Sequence, residues 1–132
     1  MSDDEKVLSK YRLRRAEEDL KSSKLLFQNN LYKQAVNRSY YAIFHATRAV
    51  LALDRFDSKK HSGIIAYFNQ HYIASGKIGK EYSKILMSAQ KIRNSCDYDD
   101  FYIVSKEEAQ NQITNAEKFT EKMTEYLSIT FF

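Results

Sequence analysis

Two groups of polar side chains stand in segments of this chain that are otherwise apolar enough to be packed. Asn37, Arg38, Tyr41, His45 and Arg48 recur at intervals that bring side chains onto one side of a helix. Arg93 and Asp97 form an i,i+4 pair, and Tyr98 follows at once. One reading is a polar pocket between two helices. There an arginine can hold a phosphate, a histidine or tyrosine can assist proton transfer, and an aromatic ring can stack on a base. The other reading is structural: Arg93 and Asp97 tie down a helix end, while Tyr41 and His45 hydrogen-bond within a core. Residue types and spacing leave both open.

Other chemistries have weaker support. Gly76-Lys77-Ile78-Gly79-Lys80-Glu81 lacks the spacing and the Ser/Thr of a phosphate-binding P-loop. His61 and His71 have no acidic partner at close helical spacing, so no metal site is expected. The lone Cys96 has no Cys or His at ligand spacing and no disulfide partner, and only Arg93 on the preceding turn would favour its thiolate. No cofactor is implied. The basic excess lies upstream: residues 1–104 carry 18 basic and 12 acidic side chains, and residues 105–132 carry 3 and 5. Lys59, Lys60, Lys77, Lys80, Lys84, Lys91 and Arg93 cluster before the acids at Asp97, Asp99 and Asp100, so a polyanion is a candidate partner there, beside the plainer reading of solvated helix faces.

The elements that must position these residues are helices. The chain has 132 residues, no proline and only three glycines, which removes the turn residues that sandwiches and barrels need. At 43% hydrophobic and 29% charged it has a globular balance, and residues 1–132 read as a single domain. No apolar run is long enough to span a membrane, and Ser2-Asp3-Asp4-Glu5-Lys6 resembles no targeting peptide, so a cytoplasmic location is expected.

Periodicity predicts an all-α antiparallel bundle of four long helices and one short one. A first helix over about 3–28 places Val7, Leu8, Tyr11, Ala16, Leu20 and Phe27 roughly along one side and ends at Asn29-Asn30. The second, over about 32–53, has two uncharged faces. Val36, Tyr40, Ile43, Phe44, Thr47, Val50 and Leu51 form one; Ala42, Ala49 and Ala52, beside Tyr41 and His45, line the other. This is the natural central helix, and its alanine side is a possible dimer contact. A short third helix from about Ser58 carries His61, Ile64, Ile65, Phe68 and Tyr72, and Gly76 and Gly79 mark the next loop. The fourth, from Ile78 or Lys80 to about Cys96, puts Arg93 in line with Tyr82, Ile85, Leu86 and Ala89. The fifth opens on a capping-box sequence, Ser105 to Glu108, and continues through Ala109, Ile113, Ala116, Thr120, Met123 and Leu127. The final Ile129 to Phe132 either docks or frays.

The run from Tyr32 to Ala46, with Asn37-Arg38-Ser39-Tyr40-Tyr41-Ala42-Ile43-Phe44-His45-Ala46 at its heart, resembles the HEPN family. Lys60-His61 with Phe68, Arg93 through Asp97-Tyr98, and Ala116-Glu117-Lys118-Phe119 continue the likeness over most of the chain. It is closest in kind to the small stand-alone prokaryotic branch that accompanies minimal nucleotidyltransferases. The resemblance implies a four- or five-helix bundle, a homodimer with a shared polar cleft, and in many relatives metal-independent RNA cleavage. Active members carry an arginine and, four to six residues on, a histidine. Here Arg93 is followed by Asn94-Ser95-Cys96-Asp97-Tyr98-Asp99-Asp100, and no histidine occurs after His71. Tyr98 takes a spacing open to that histidine, and an unperturbed tyrosine is a poor base at neutral pH.

The leading expectation is therefore a dimeric module of a toxin-antitoxin-like pair that binds RNA, nucleotide or a nucleotidyltransferase. Arg93 and Arg38 would contact phosphate, and Asn37, Tyr41, His45, Asp97 and Tyr98 would shape the pocket. The alternative is an endoribonuclease using Arg93 with His45 or Tyr98 in place of the missing base. A third possibility is a helical adaptor for a protein partner.

Overall fold

A computed structural model of the protein describes residues 3–130. They form five α-helices: α1 (Asp3–Gln28), α2 (Tyr32–Leu51), α3 (His61–Phe68), α4 (Lys80–Tyr98) and α5 (Lys106–Thr130). There is no strand among the described residues, so the all-α architecture holds, with α3 the short helix. No helix of the described residues is long and apolar enough to cross a membrane.

The central position of α2 follows from its two uncharged faces: it packs against α1, α4 and α5. Tyr40, Ile43, Val50 and Leu51 are buried with Ile64, Phe68, Leu86, Phe119, Met123 and Leu127 in the main core. Each such side chain contributes on the order of 1.5–3 kcal/mol by leaving water. A smaller cluster of Val36, Cys96, Val104 and Ala109 closes the other end of the bundle.

The alanine side of α2 is not a dimer surface, because α1 covers it. Ser9, Ala16 and Ser23 on α1 and Ala35, Ala42 and Ala49 on α2 are all fully buried. Both sets recur every seven residues, as two facing stripes of small side chains require. The Ser9 hydroxyl donates to the Ala49 carbonyl at 2.8 Å and the Ser23 hydroxyl to the Ala35 carbonyl at 2.6 Å, so the two helices run antiparallel and close. This corrects part of the expected face of α1. Ala16, Leu20 and Phe27 pack inward as expected, but Val7, Leu8 and Tyr11 are exposed, and Ser9, Arg12, Leu13 and Ser23 fill the contact with α2. Small hydroxyl side chains fit where bulky apolar ones would hold the helices apart.

Helix ends follow local chemistry. Asn30, at φ 61°, closes α1 as its left-handed cap residue, with the Leu31 amide donating to the Leu26 carbonyl and Asn30 to Phe27. The second helix is α-helical through Leu51 and tightens into a 3-10 turn at Ala52–Asp54, where Arg55 at φ 56° repeats the same termination. The third starts at His61 rather than Ser58: Ser58 stands outside it and accepts the Lys60 amide at 3.2 Å. A π turn, Asn69–Ile73, extends α3, and Tyr72 within it donates to Asp54 at 2.8 Å. Gly76, at φ 81°, makes the turn that follows. Two residues beyond the expected end, α4 stops at Tyr98. Before α5, Ser105 accepts the Glu108 amide at 3.0 Å as a capping box requires, but the Glu108 carboxylate is taken by the Tyr102 hydroxyl. Ile129 is exposed, and Phe131 and Phe132 lie outside the described residues.

Candidate functional site

Arg93 meets α2 where two tyrosines face α4. Its Nε lies 2.9 Å from the Asp97 carboxylate, an ion pair across one helical turn rather than a linear hydrogen bond. Its Nη2 donates to the Tyr41 hydroxyl at 3.1 Å. The guanidinium carbon sits 5.4 Å from the Tyr40 ring centroid and 5.6 Å from that of Tyr41, so both rings offer a negative face to the cation. Arg93 is thus tied down at its helix end, as the structural reading expected. Asp97 ties it to its own helix while the tyrosines hold its head against α2.

Arg38 also lies over the Tyr41 ring, at 4.8 Å. It donates to Asp19 of α1 at 3.1 Å and to Asn37 at 3.0 Å. His45 is buried, with Nε2 3.7 Å from the Asp19 carboxylate and Nδ1 without a hydrogen-bond partner. Burial, and then the nearby cations Arg15, Arg48, Arg38 and Arg12, push its pKa down to about 4. His45 is therefore neutral at pH 7, and its contact with Asp19 is polar rather than ionic. Burial also raises the Asp19 carboxyl, against the pull of Arg38 and Arg15. Asn37, Arg38, Tyr41 and His45 do lie together, but His45 belongs to the α1 side of the group.

Tyr98 does not join them. It is 82% exposed and lines a groove on the outer side of α4 with Met87, Lys91, Asn94 and Asp99. Five positions beyond Arg93, it has rotated off the stripe that Arg93 and Asp97 share.

The histidine that does approach Arg93 is His61, the first residue of α3. Its Nδ1 is 2.8 Å from the Tyr40 hydroxyl, and its ring stacks on Phe44 at 4.1 Å and meets Tyr41 edge-on at 6.0 Å. Burial, then the charges of Arg93 and Arg48, lower its pKa and favour the neutral ring. Burial pushes the Tyr40 phenol up to about 12, so Tyr40 stays protonated and its hydroxyl and the imidazole share one proton-bearing contact. Periodicity had placed His61 merely on an apolar stripe, and its only other signal was the Lys60-His61 pair. Asp19 was equally hidden, within the charged run Glu17-Glu18-Asp19.

Beyond His61, Asp57 binds two arginines through one oxygen, Arg48 at 2.8 Å and Arg12 at 3.2 Å, while its other oxygen accepts the Ser58 amide at 2.8 Å. Burial acts to raise the Asp57 carboxyl, but these bonds and charges outweigh it and the net shift is downward. Among the described residues no group of three or more His, Cys, Asp or Glu side chains is arranged to hold a metal ion.

Comparison with known proteins covers most of the helical chain. A candidate toxin of Methanocaldococcus jannaschii is 38% identical over 112 residues, 85% of this chain and 83% of the relative. A UPF0332 protein of Thermotoga maritima is 36% identical over 121 residues, 92% of this chain and 91% of its own. A UPF0332 protein of Gloeobacter violaceus is 35% identical over 115 residues, 86% and 91% of the two chains. The model of the HEPN domain matches residues 9–126, a span that runs from the buried Ser9 of α1 to Tyr126 of α5 and takes in every side chain of the cluster around Arg93. On that match and that architecture, the chain belongs to the HEPN domain family.

Proposed function

We propose that this chain is a toxin-like HEPN module that binds RNA through a site centred on Arg93, as a homodimer and with a nucleotidyltransferase as its protein partner. The observation that carries the RNA reading is the mounting of Arg93. Asp97 takes one edge of the guanidinium, the Tyr41 hydroxyl accepts from another nitrogen, and two tyrosine rings fix its plane. A planar donor held from behind in this way is pre-organised for a phosphate. The basic excess over residues 1–104 supports a polyanion, and the name of the Methanocaldococcus relative supports the toxin-like character. Titration of a fluorescent single-stranded RNA tests the reading. Binding by the wild type that falls about tenfold or more in a folded Arg93→Ala variant is expected; absence of binding, or equal binding by both, overturns it. Light scattering of the purified protein and a pull-down from native extract test the dimer and the partner.

A second reading, metal-independent RNA cleavage, is favoured by the neutral imidazole of His61 beside Tyr40 and Arg93. In this reading His61, rather than the buried His45 or the outlying Tyr98, takes the proton from the attacking hydroxyl while Arg93 stabilises the phosphorane charge. Incubation with structured RNA decides between the readings. Cleavage lost in both Arg93→Ala and His61→Ala supports it, and cleavage that persists equally in both variants marks a contaminant.

A further inference from the structure

Past His61, away from Arg93, the surface opens into a cleft of about 480 Å³ lined by Phe44, Arg48, Asp57, Ser58, Lys59 and His61. Its charge balance is unusual. Asp57 is the one carboxylate of that lining, and both of its oxygens are engaged. One of its oxygens takes both Arg48 and the buried Arg12, and the other takes the Ser58 amide. Two guanidiniums therefore share a single negative charge, and Arg48 meets it through Nη2 alone. Lys59 is exposed and adds a further positive charge. The same cleft lies at the start of α3, where Ser58 takes the Lys60 amide and the Lys60 carbonyl takes that of Gly63, so the His61 and Ser62 amides are the donors left to face it. Cations in excess, free helix amides and a concave wall are what an anion requires.

Side-chain contacts through the buried Tyr40 link the cleft to Arg93. His61 stacks on Phe44 within the cleft and holds the Tyr40 hydroxyl at 2.8 Å, and Tyr40 lies under the Arg93 guanidinium. The imidazole thus stands between two cationic centres, and the charges of both Arg93 and Arg48 act on it.

We propose that this cleft is a second phosphate-binding subsite, with Arg48 and Lys59 as its cations, and that a single RNA strand runs from Arg93 past His61 into it. The strand path rests on the RNA reading above, whereas the anion site rests on the cleft itself. A strand that contacts two phosphates binds with a steeper salt dependence than one that contacts a single phosphate, because each neutralised phosphate releases counterions.

Two measurements on the full chain test the proposal, using wild type, Lys59→Gln, and Lys106→Gln as a charge-matched control on α5. In the first, inorganic phosphate is titrated while the backbone amides of Ser62 and Gly63 are followed by NMR. Shifts in the wild type and the control that vanish in Lys59→Gln are expected, and no shift in the wild type overturns the subsite. In the second, the affinity for a ten-nucleotide RNA is measured across a salt series. Lys59→Gln is expected to flatten the slope of log K against log salt by about 0.7, the value of one single-strand phosphate contact, with the control unchanged. Equal slopes in wild type and Lys59→Gln overturn the strand path. Phosphate shifts without any RNA binding overturn the RNA reading and the path together, and leave an anion site for a smaller ligand.

Discussion

The Tyr41 hydroxyl accepts a hydrogen bond from Nη2 of Arg93 at 3.1 Å, and through that contact the polar face of α2 is locked to the only arginine of α4. Tyr41 also carries Arg38 over its ring and lies 5.9 Å from the His45 ring, so it is the common neighbour of these polar residues.

Tyr41→Phe keeps the ring and removes the acceptor. It is expected to leave the fold intact and cost about 1 kcal/mol or less in unfolding free energy, since Arg93 retains Asp97 and both ring faces. RNA affinity is expected to fall severalfold, less than in Arg93→Ala, because the guanidinium is present but less firmly oriented. Chemical denaturation beside RNA titration reads both; an affinity equal to wild type removes Tyr41 from the positioning of Arg93.

His45 sets a pH dependence. Its folded pKa is depressed to about 4 from an ordinary 6.5, so between these values the unfolded chain binds more protons than the folded one. Stability from burying the neutral ring is present above pH 6.5 and is lost progressively as pH falls through 4. The raised carboxyl of Asp19 works in the opposite sense from 3.8 upward, so the comparison must be made with a variant. Denaturation midpoints of His45→Leu between pH 7.5 and 4.5 are expected to fall less than those of wild type; parallel curves would show that His45 is not buried as a neutral ring.

The close approach of α1 and α2 gives a third outcome. Ser23→Ala removes a buried hydroxyl from the Ala35 carbonyl, which keeps its place in the helix, and is expected to cost about 0.5–1.5 kcal/mol. Ala49→Leu inserts a large side chain where Ser9 touches the Ala49 carbonyl, and a loss of about 1–3 kcal/mol or more is expected. Urea denaturation gives both values. An Ala49→Leu protein as stable as Ser23→Ala would mean that α1 does not press on this stripe.

Asp57→Ala leaves the buried Arg12 without its carboxylate. Arg12 still donates to the Arg48 carbonyl at 3.1 Å, so a cost of about 1–3 kcal/mol, rather than complete unfolding, is expected by thermal denaturation. Retention of full stability would show that Arg12 needs no counter-charge.

What was legible beforehand is what depends on local chemistry. Missing proline, helical spacing and the Ser105 cap determined the helices, and two uncharged faces determined that α2 is central. The same spacing placed Asn37, Arg38, Tyr41 and His45 together and paired Arg93 with Asp97, because neighbours on one helix are set by its pitch. Tertiary structure decided everything that joins one helix to another. That α1 packs by Ser9, Ala16 and Ser23 rather than by Val7, Leu8 and Tyr11 depends on the alanines of a different helix. That His61, thirty-two positions before Arg93, is the imidazole linked to it through Tyr40 depends on where the loop after α2 sets α3 down. Tyr98, adjacent to Asp97 in the chain, points elsewhere because one residue along a helix turns a side chain to another face. Periodicity fixes which residues share a side; only packing fixes what that side meets.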